Sequence, residues 1–403
     1  MGKTNRGAYI LAAGAAVQLL TGIPAAWGVF QEPLMQGYAL SRGQVMLGFA
    51  VLVAAYGAGC AAGGLLQDKH GPKFAGLWGS VLLGGGFLAA SLVPAGNTAL
   101  FLLVFPLPAG LGSAFLAPAV LACAQKWYRD KKGLATGVTG AAMGFSGAFY
   151  TLFVQEVGQR FGIRVCLAAL GAVMLVVCGA GAALLQDPPP AAAAPPQQGL
   201  TYKQMLHTVQ YALCAAAVAL SAPAVLLFSP EILKIAAERG VPESAAPLSI
   251  VLGSAFSAAG RLLCPAASDR LGRKPVLLGI YAGLAAGSLW FAFAQGQTVL
   301  FSYALLTFFY SGGAAVQPAL NSDLFGLAHA GVNYGFIALG MSGGSLISYI
   351  GSQALPLTAR HWLAGLCALA GGSFCQKCPL AGSNVGAAYM PPAAATRTLR
   401  YSG

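Results

Sequence analysis

The sequence predicts an all-α membrane protein of two pseudo-symmetric six-helix bundles, with a twelfth helix that is incomplete or atypical. Three observations carry this. The 403-residue chain is 57% hydrophobic and only 8% charged, against about 25% charged in an ordinary soluble domain. Eleven apolar runs reach the length of about 20 residues that a helix needs to cross a hydrocarbon core. Short motifs also recur at nearly one period. Runs this continuous must be helices, because alternating barrel strands would be only about ten residues long.

In chain order the predicted spans cover about 8–30, 44–66, 74–94, 98–123, 133–155, 162–186, 209–230, 245–267, 275–295, 298–321 and 331–356. The first follows Lys3 and Arg6 and is too long for a signal-peptide core. Residues 1–186 thus form the first bundle. The stretch from Asp187 to Leu200 is rich in proline, which favours an extended segment with no core, so 187–206 reads as a cytoplasmic linker. Residues 207–372 form the second bundle. Its last run, from His361, has too few apolar residues to cross the core, and 373–403 reads as an atypical tail from a truncated or frame-shifted end. Twelve Lys and Arg residues fall on the side of the N-terminus and six on the other, which puts the N-terminus in the cytoplasm of a multi-pass cell (inner) membrane protein.

Composition also excludes several classes. The net charge of +12 comes from short basic clusters between apolar runs, not from a stripe interleaved with aromatics, so no nucleic acid is expected. Cys60, Cys123, Cys166, Cys178, Cys214, Cys264 and Cys367 lie in apolar stretches, where cysteine acts as a small hydrophobe. Cys375 and Cys378 lack the further ligands of a zinc site. His70, His207, His329 and His361 sit in separate loops, and no nucleophile or phosphate loop assembles around them. The chain therefore reads as no enzyme, with neither metal nor cofactor, working as a monomer in a lipid bilayer.

The repeats fix the two-bundle plan. Asp68-Lys69-His70-Gly71-Pro72-Lys73 after span two matches Asp269-Arg270-Leu271-Gly272-Arg273-Lys274 after span eight, an offset of 201 residues. Gly133, Gly137 and Met143 in span five match Gly331, Gly335 and Met341 in span eleven, an offset of 198. In the loops, Asp68, Gly71 and Lys73, with Asp269, Arg270, Gly272, Arg273 and Lys274, suit a tight turn at a membrane surface: glycine permits the turn, the carboxylate suits a helix N-terminus and the basic residues hold the surface. Glycine-rich stretches in spans two, three, four and eleven favour close helix packing. Prolines 106, 108, 118, 223 and 318 predict kinks.

Arg261 is the residue that points to function. It precedes Asp269 by eight residues, so at a rise of 1.5 Å per residue it lies about 12 Å inside the core. An ionisable group at that depth marks a site. The ten acids all lie in loops or near span ends, and a fixed internal partner is hard to build from them. Snorkelling to the surface is the bland alternative, but the side chain is short for the distance. A transported anion is the better partner, since the planar guanidinium takes a carboxylate bidentately. Phe115 and Tyr310 are candidate cavity aromatics; Trp27 and Tyr334 divide evenly between cavity and interface.

At these residues the chain resembles the oxalate/formate antiporter group of the major facilitator superfamily, and is similar to monocarboxylate transporters. The resemblance spans about residues 8–360. It rests on Gly22 to Phe30, Gly110 to Pro118, Lys126 to Gly133, Gly260-Arg261 with Ser268 to Arg273, Pro318 to Gly326, and Asn333-Tyr334-Gly335. It implies alternating access and a small carboxylate held by Arg261, with Ser257 and Met341 at positions the family uses beside the substrate, while Phe115, Tyr310 and Trp27 are candidates from their place in the spans. Relatives that exchange oxalate carry a second cation where this chain has Met341, and proton-coupled carriers carry an aspartate where it has Ser257. One cation suits a monocarboxylate better than a dianion, and exchange or facilitated passage better than proton symport. A carrier of a neutral solute or drug, or a non-transporting sensor, is the alternative.

Overall fold

The computed structural model describes residues 3–128, 132–186, 199–326 and 328–379. Among them every regular element is helical, and a single antiparallel bridge joins Gly199 to Gly326. The membrane face that holds Lys3 is called the N-terminal face below.

The first half has six spans. Span one is Lys3–Thr21, a 3-10 turn Ile23–Ala26 and Trp27–Tyr38, bent by 47° at the break. Span two is Arg42–His70, started by a capping box in which Ser41 Oγ accepts from the Gln44 amide and the Gln44 side chain accepts from the Ser41 amide. Span three is Pro72–Ser91. Span four is Thr98–Val104 and Pro106–Trp127, interrupted where Pro106 has no amide to donate. Span five runs through Lys132–Gly144, Ser146–Phe153 and a π-turn Val154–Gly158. The chain then turns at Gly162 into span six, which ends at Leu184.

The second half repeats the plan. Span seven is broken into Val209–Ser221, Pro223–Leu226, Ser229–Glu231 and Ile232–Glu238. Spans eight, nine and ten are Leu248–Leu271, Arg273–Phe293 and Gln297–Phe325; span eleven is Ala330–Ile337 with Leu339–Ala354. The two repeat loops turn alike. Gly71 has φ +87° and ψ 167°, and Gly272 has φ +91° and ψ 154°, a region essentially closed to residues with a Cβ. Arg273 then pairs with Asp269 and donates to Asp323 at 3.1 Å, tying its loop to the end of span ten. Asp68 instead faces His329, just ahead of span eleven in the other half, at 3.9 Å.

Two expectations are refined, the twelfth helix staying atypical in its low hydropathy. The twelfth helix is complete in length: Leu357–Lys377 has 21 residues, about 31 Å at the helical rise. Its low hydropathy has a packing cause. Gly371 and Gly372 lie against the Tyr281 ring, His361 is 1% exposed, and only Trp362, Leu366 and Leu369 form an outward apolar stripe. A helix covered on most sides needs no lipid-facing residues there. The second bundle thus runs past 372 to Lys377. The end of the linker is also built into the fold. The Leu200 amide donates to Phe325 O at 2.8 Å, Thr201 caps the turn Tyr202–Leu206, and Tyr202 stacks on Phe336 at 5.2 Å. Residues 187–198, the basic cluster at 129–131 and the tail 380–403 lie outside the described residues.

Glycine sets how closely the halves meet. A Cβ at Gly144 of span five would sit 2.5 Å from the Ala258 backbone of span eight, and one at Gly335 of span eleven 2.4 Å from Cys60 O of span two. Gly335→Ala should therefore force these helices apart at a cost of about 1–3 kcal/mol. Gly279, with no atom within 4 Å of its would-be Cβ, is the control. Thermal unfolding in detergent should show a lower melting temperature for Gly335→Ala and none for Gly279→Ala; equal values would refute the close contact.

Candidate functional site

Between the closely packed halves lies a cavity of about 180 Å³. The broken segments of spans one and seven roof it: Pro24 and Ala25 from one, Val225, Leu226 and Ser229 from the other. Toward the N-terminal face it continues along Leu121, Thr136 and Pro318 of spans four, five and ten. Discontinuous helices are suited to this position, because irregular backbone is tolerated in a membrane where it lines a cavity.

Arg261 lines this cavity from span eight. Its aliphatic stem lies on span five at Gly140, where an added Cβ would be 3.3 Å from Arg261 Cβ. A side chain at position 140 would crowd that stem. Tyr56 of span two, Tyr310 of span ten and Tyr334 of span eleven line the same cavity as Arg261. Among the described residues Arg261 has no ion-pair or hydrogen-bond partner, and its buried Nε is unpaired. The wall beside it is rich in hydroxyls. Ser257 Oγ and Ser311 Oγ share a hydrogen bond of 2.7 Å, and Thr307 Oγ1 donates to Gly253 O at 2.9 Å. Among the described residues that line the cavity none is Asp, Glu or His.

The roof is closed in two layers. Ser229 Oγ donates to Pro24 O at 3.1 Å, joining the breaks of spans one and seven. Outside it Glu231, only 3% exposed, is held by Arg42 of the first half and by Arg360 of the second at 2.7 Å. Arg360 is fixed in turn to Leu355 O and Ser352 O. A buried carboxylate needs such pairing. Arg360 supplies it within one half, so Arg42 is the partner that can leave when the halves part.

Of the residues singled out in the sequence, Arg261, Ser257, Tyr310, Met341 and Tyr334 come together at the cavity. Trp27 and Phe115 do not. Trp27 is fully buried in the first half, stacked on Phe105 at 6.1 Å and tilted on Phe49 at 5.7 Å. Phe115 is wedged among spans two, three and four, beside Gly63 and Gly79. Burial depth places an aromatic inside the protein, but only the helix rotation decides which way it faces. Tyr56, Gln18 and Thr139 line the cavity without having been singled out, and Met143, noted in the sequence only as a repeat match, lines it too. Met143 and Met341, with Pro118 and Pro318, are repeat-related pairs on its wall, so symmetry was the available signal.

Two substitutions test this geometry. Arg360→Gln strips a buried carboxylate of its fixed partner and should cost about 3–5 kcal/mol, whereas Arg42→Gln, at 38% exposure, should cost at most about 1 kcal/mol. Arg42→Gln should nonetheless raise labelling of a cysteine introduced at Ser229 from the opposite face. Equal destabilisation by both would remove the asymmetry. Arg261→Met should raise the melting temperature of the empty protein, because it removes a buried cation without a partner.

The Major Facilitator Superfamily profile matches residues 10–349. An oxalate:formate antiporter of Oxalobacter formigenes is 24% identical over 340 residues, 82% of this chain and 80% of that protein. Monocarboxylate transporter 13 of Bos taurus is 27% identical over 164 residues, 40% of this chain and 38% of that one. Among solved structures the Escherichia coli proton:xylose symporter XylE matches with a TM-score of 0.68 at 14% identity, covering 94% of this chain and 97% of its own. FucP in its outward conformation matches at 0.64 and 16%, covering 91% and 97%; at such identities these two agree in fold alone. With its profile spanning most of the chain and two six-helix halves enclosing a central cavity, the chain belongs to the Major Facilitator Superfamily and is a multi-pass membrane transporter, not an enzyme.

Proposed function

We propose that the protein carries a small monocarboxylate across a cell (inner) membrane by alternating access, with the N-terminal face in the cytoplasm. The observation that carries this reading is Arg261: a guanidinium on the wall of the central cavity, with no partner among the described residues. A substrate carboxylate accepts two parallel hydrogen bonds from it and neutralises it in one step. The tyrosines around it offer further hydroxyl donors. Met341 puts a thioether where the oxalate-exchanging relatives implied by the resemblance carry a second cation, so a dianion would leave one charge unmatched. Among the described residues the cavity lining has no Asp, Glu or His to shuttle a proton near neutral pH, which favours exchange or facilitated passage over proton symport. The orientation follows from the excess of Lys and Arg on the N-terminal face.

The substrate arrives from the cytoplasmic side along spans four, five and ten and docks on Arg261. Removing that uncompensated charge lets the halves close around the ligand, because the loaded site is neutral. Release on the other side then requires Ser229 to part from Pro24 and Arg42 from Glu231, while Arg360 keeps Glu231 paired.

A thermal-shift screen of the purified protein against formate, acetate, lactate, oxalate and succinate tests the reading, followed by counterflow in proteoliposomes. Monocarboxylates should stabilise and exchange, and oxalate should bind more weakly. Arg261→Gln should lose roughly 10–100-fold in affinity, the equivalent of one charge-assisted hydrogen-bonded pair. Uptake unchanged in Arg261→Gln would support a neutral-solute carrier instead. Binding without counterflow would support a sensor.

A further inference from the structure

Span ten presents Tyr310, Gly313, Ala314 and Gln317 at offsets of three, four and seven residues, which is one stripe of a helix. That stripe lines a second, smaller chamber of about 30 Å³ inside the C-terminal half. Tyr310, Ala314, Tyr334 and Met341 line both this chamber and the central cavity, so they form the partition between the two. At Gly260, next to Arg261 in the chain, a Cβ would lie 2.2 Å from Phe308 O, so spans eight and ten touch beside the start of the stripe. Met341, unbranched and flexible, is the member of the partition best able to move aside.

The chamber's walls are mostly apolar, including Leu277, Ile280 and Phe309, but it reaches Gln317. Gln317 is 5% exposed and its Oε1 has no hydrogen-bond partner among the described residues. A buried acceptor left without a donor is destabilising. One water-sized group needs roughly 10–15 Å³ of such space, so the chamber takes about two. A second charge there would lose its hydration against apolar walls with nothing to pair it.

We propose that this side chamber is a specificity subsite for the far end of the substrate, taking a hydroxymethyl-sized group whose O–H donates to Gln317 Oε1 while the carboxylate of the same molecule sits on Arg261. The substrate class is then a short hydroxylated monocarboxylate, in preference to a plain fatty acid or a dicarboxylate. The inference rests on the carboxylate reading of Arg261.

Binding to the purified full-length protein is measured by calorimetry for two matched pairs, propionate with 3-hydroxypropionate and butyrate with 4-hydroxybutyrate, with succinate as the charged analogue. In the wild type at least one hydroxylated member should bind about tenfold more tightly than its parent, as expected for a site that hydrogen-bonds a substrate hydroxyl. The ratio should collapse to about one in Gln317→Leu. It should also fall in Gly313→Ala, whose added methyl lies 3.4 Å from Ile280 Cγ2 and narrows the chamber without a clash; this second variant decides the matter if Gln317→Leu does not fold. Ratios near one for both pairs in the wild type, or a preference that survives both variants, would mean the chamber holds only water and overturn the proposal. If no carboxylate binds at all, the reading of Arg261 fails and the subsite falls with it; if carboxylates bind but the hydroxyl makes no difference, only the subsite falls.

Discussion

An arginine about 12 Å inside a hydrocarbon core is tolerable only if the protein surrounds it with polarisable and hydroxyl groups and leaves room for an anion. The cavity around Arg261 meets both terms. Three tyrosines line the same cavity as Arg261, serine and threonine hydroxyls line the adjoining wall, and among the described residues no carboxylate lines it. In the carrier proposed above, the absence of an internal partner among the described residues is what makes the site responsive. A fixed salt bridge would neutralise the arginine permanently and leave an incoming carboxylate nothing to gain.

Everything else in the architecture serves to place that charge between two halves that can separate. Glycines let spans five and eight, and spans two and eleven, meet at backbone distance, which makes both seams tight without interlocking long side chains. Such surfaces pack well by dispersion and slide without tearing ion pairs. Among the described residues, polar contacts between the halves are found at the rims, where Arg42 pairs with Glu231 at one face and Asp68 faces His329 at the other. The duplication explains why the device is balanced. Gly71 and Gly272 make the same turn, and Met143 faces the cavity as Met341 does.

Glu231 shows how a residue at a span end can still be central. Its position in the sequence suggests an ordinary interfacial acid. In the fold it is buried between two arginines contributed by spans two and twelve, one fixed by backbone carbonyls and one exposed. Span twelve has the same lesson in reverse: its sequence is poor in apolar residues because its neighbours, not lipid, cover most of it.

The spans, their number through eleven, the two-half plan, the loop turns and the buried Arg261 are all legible in the chain itself, because hydrophobic length, charge placement and repetition are local properties that survive without knowing which helix touches which. So are Ser257, Tyr310 and Met341 as members of the site, since they follow from the repeat and the resemblance. What only the tertiary structure decided is rotation and contact. Trp27 and Phe115 turn into the first half instead of the cavity, Tyr56 turns toward the cavity, Glu231 finds its two arginines, and the last helix runs to Lys377. A membrane helix is apolar nearly all round, so its sequence carries little record of which face meets protein and which meets lipid. That choice is made by the packing of its neighbours.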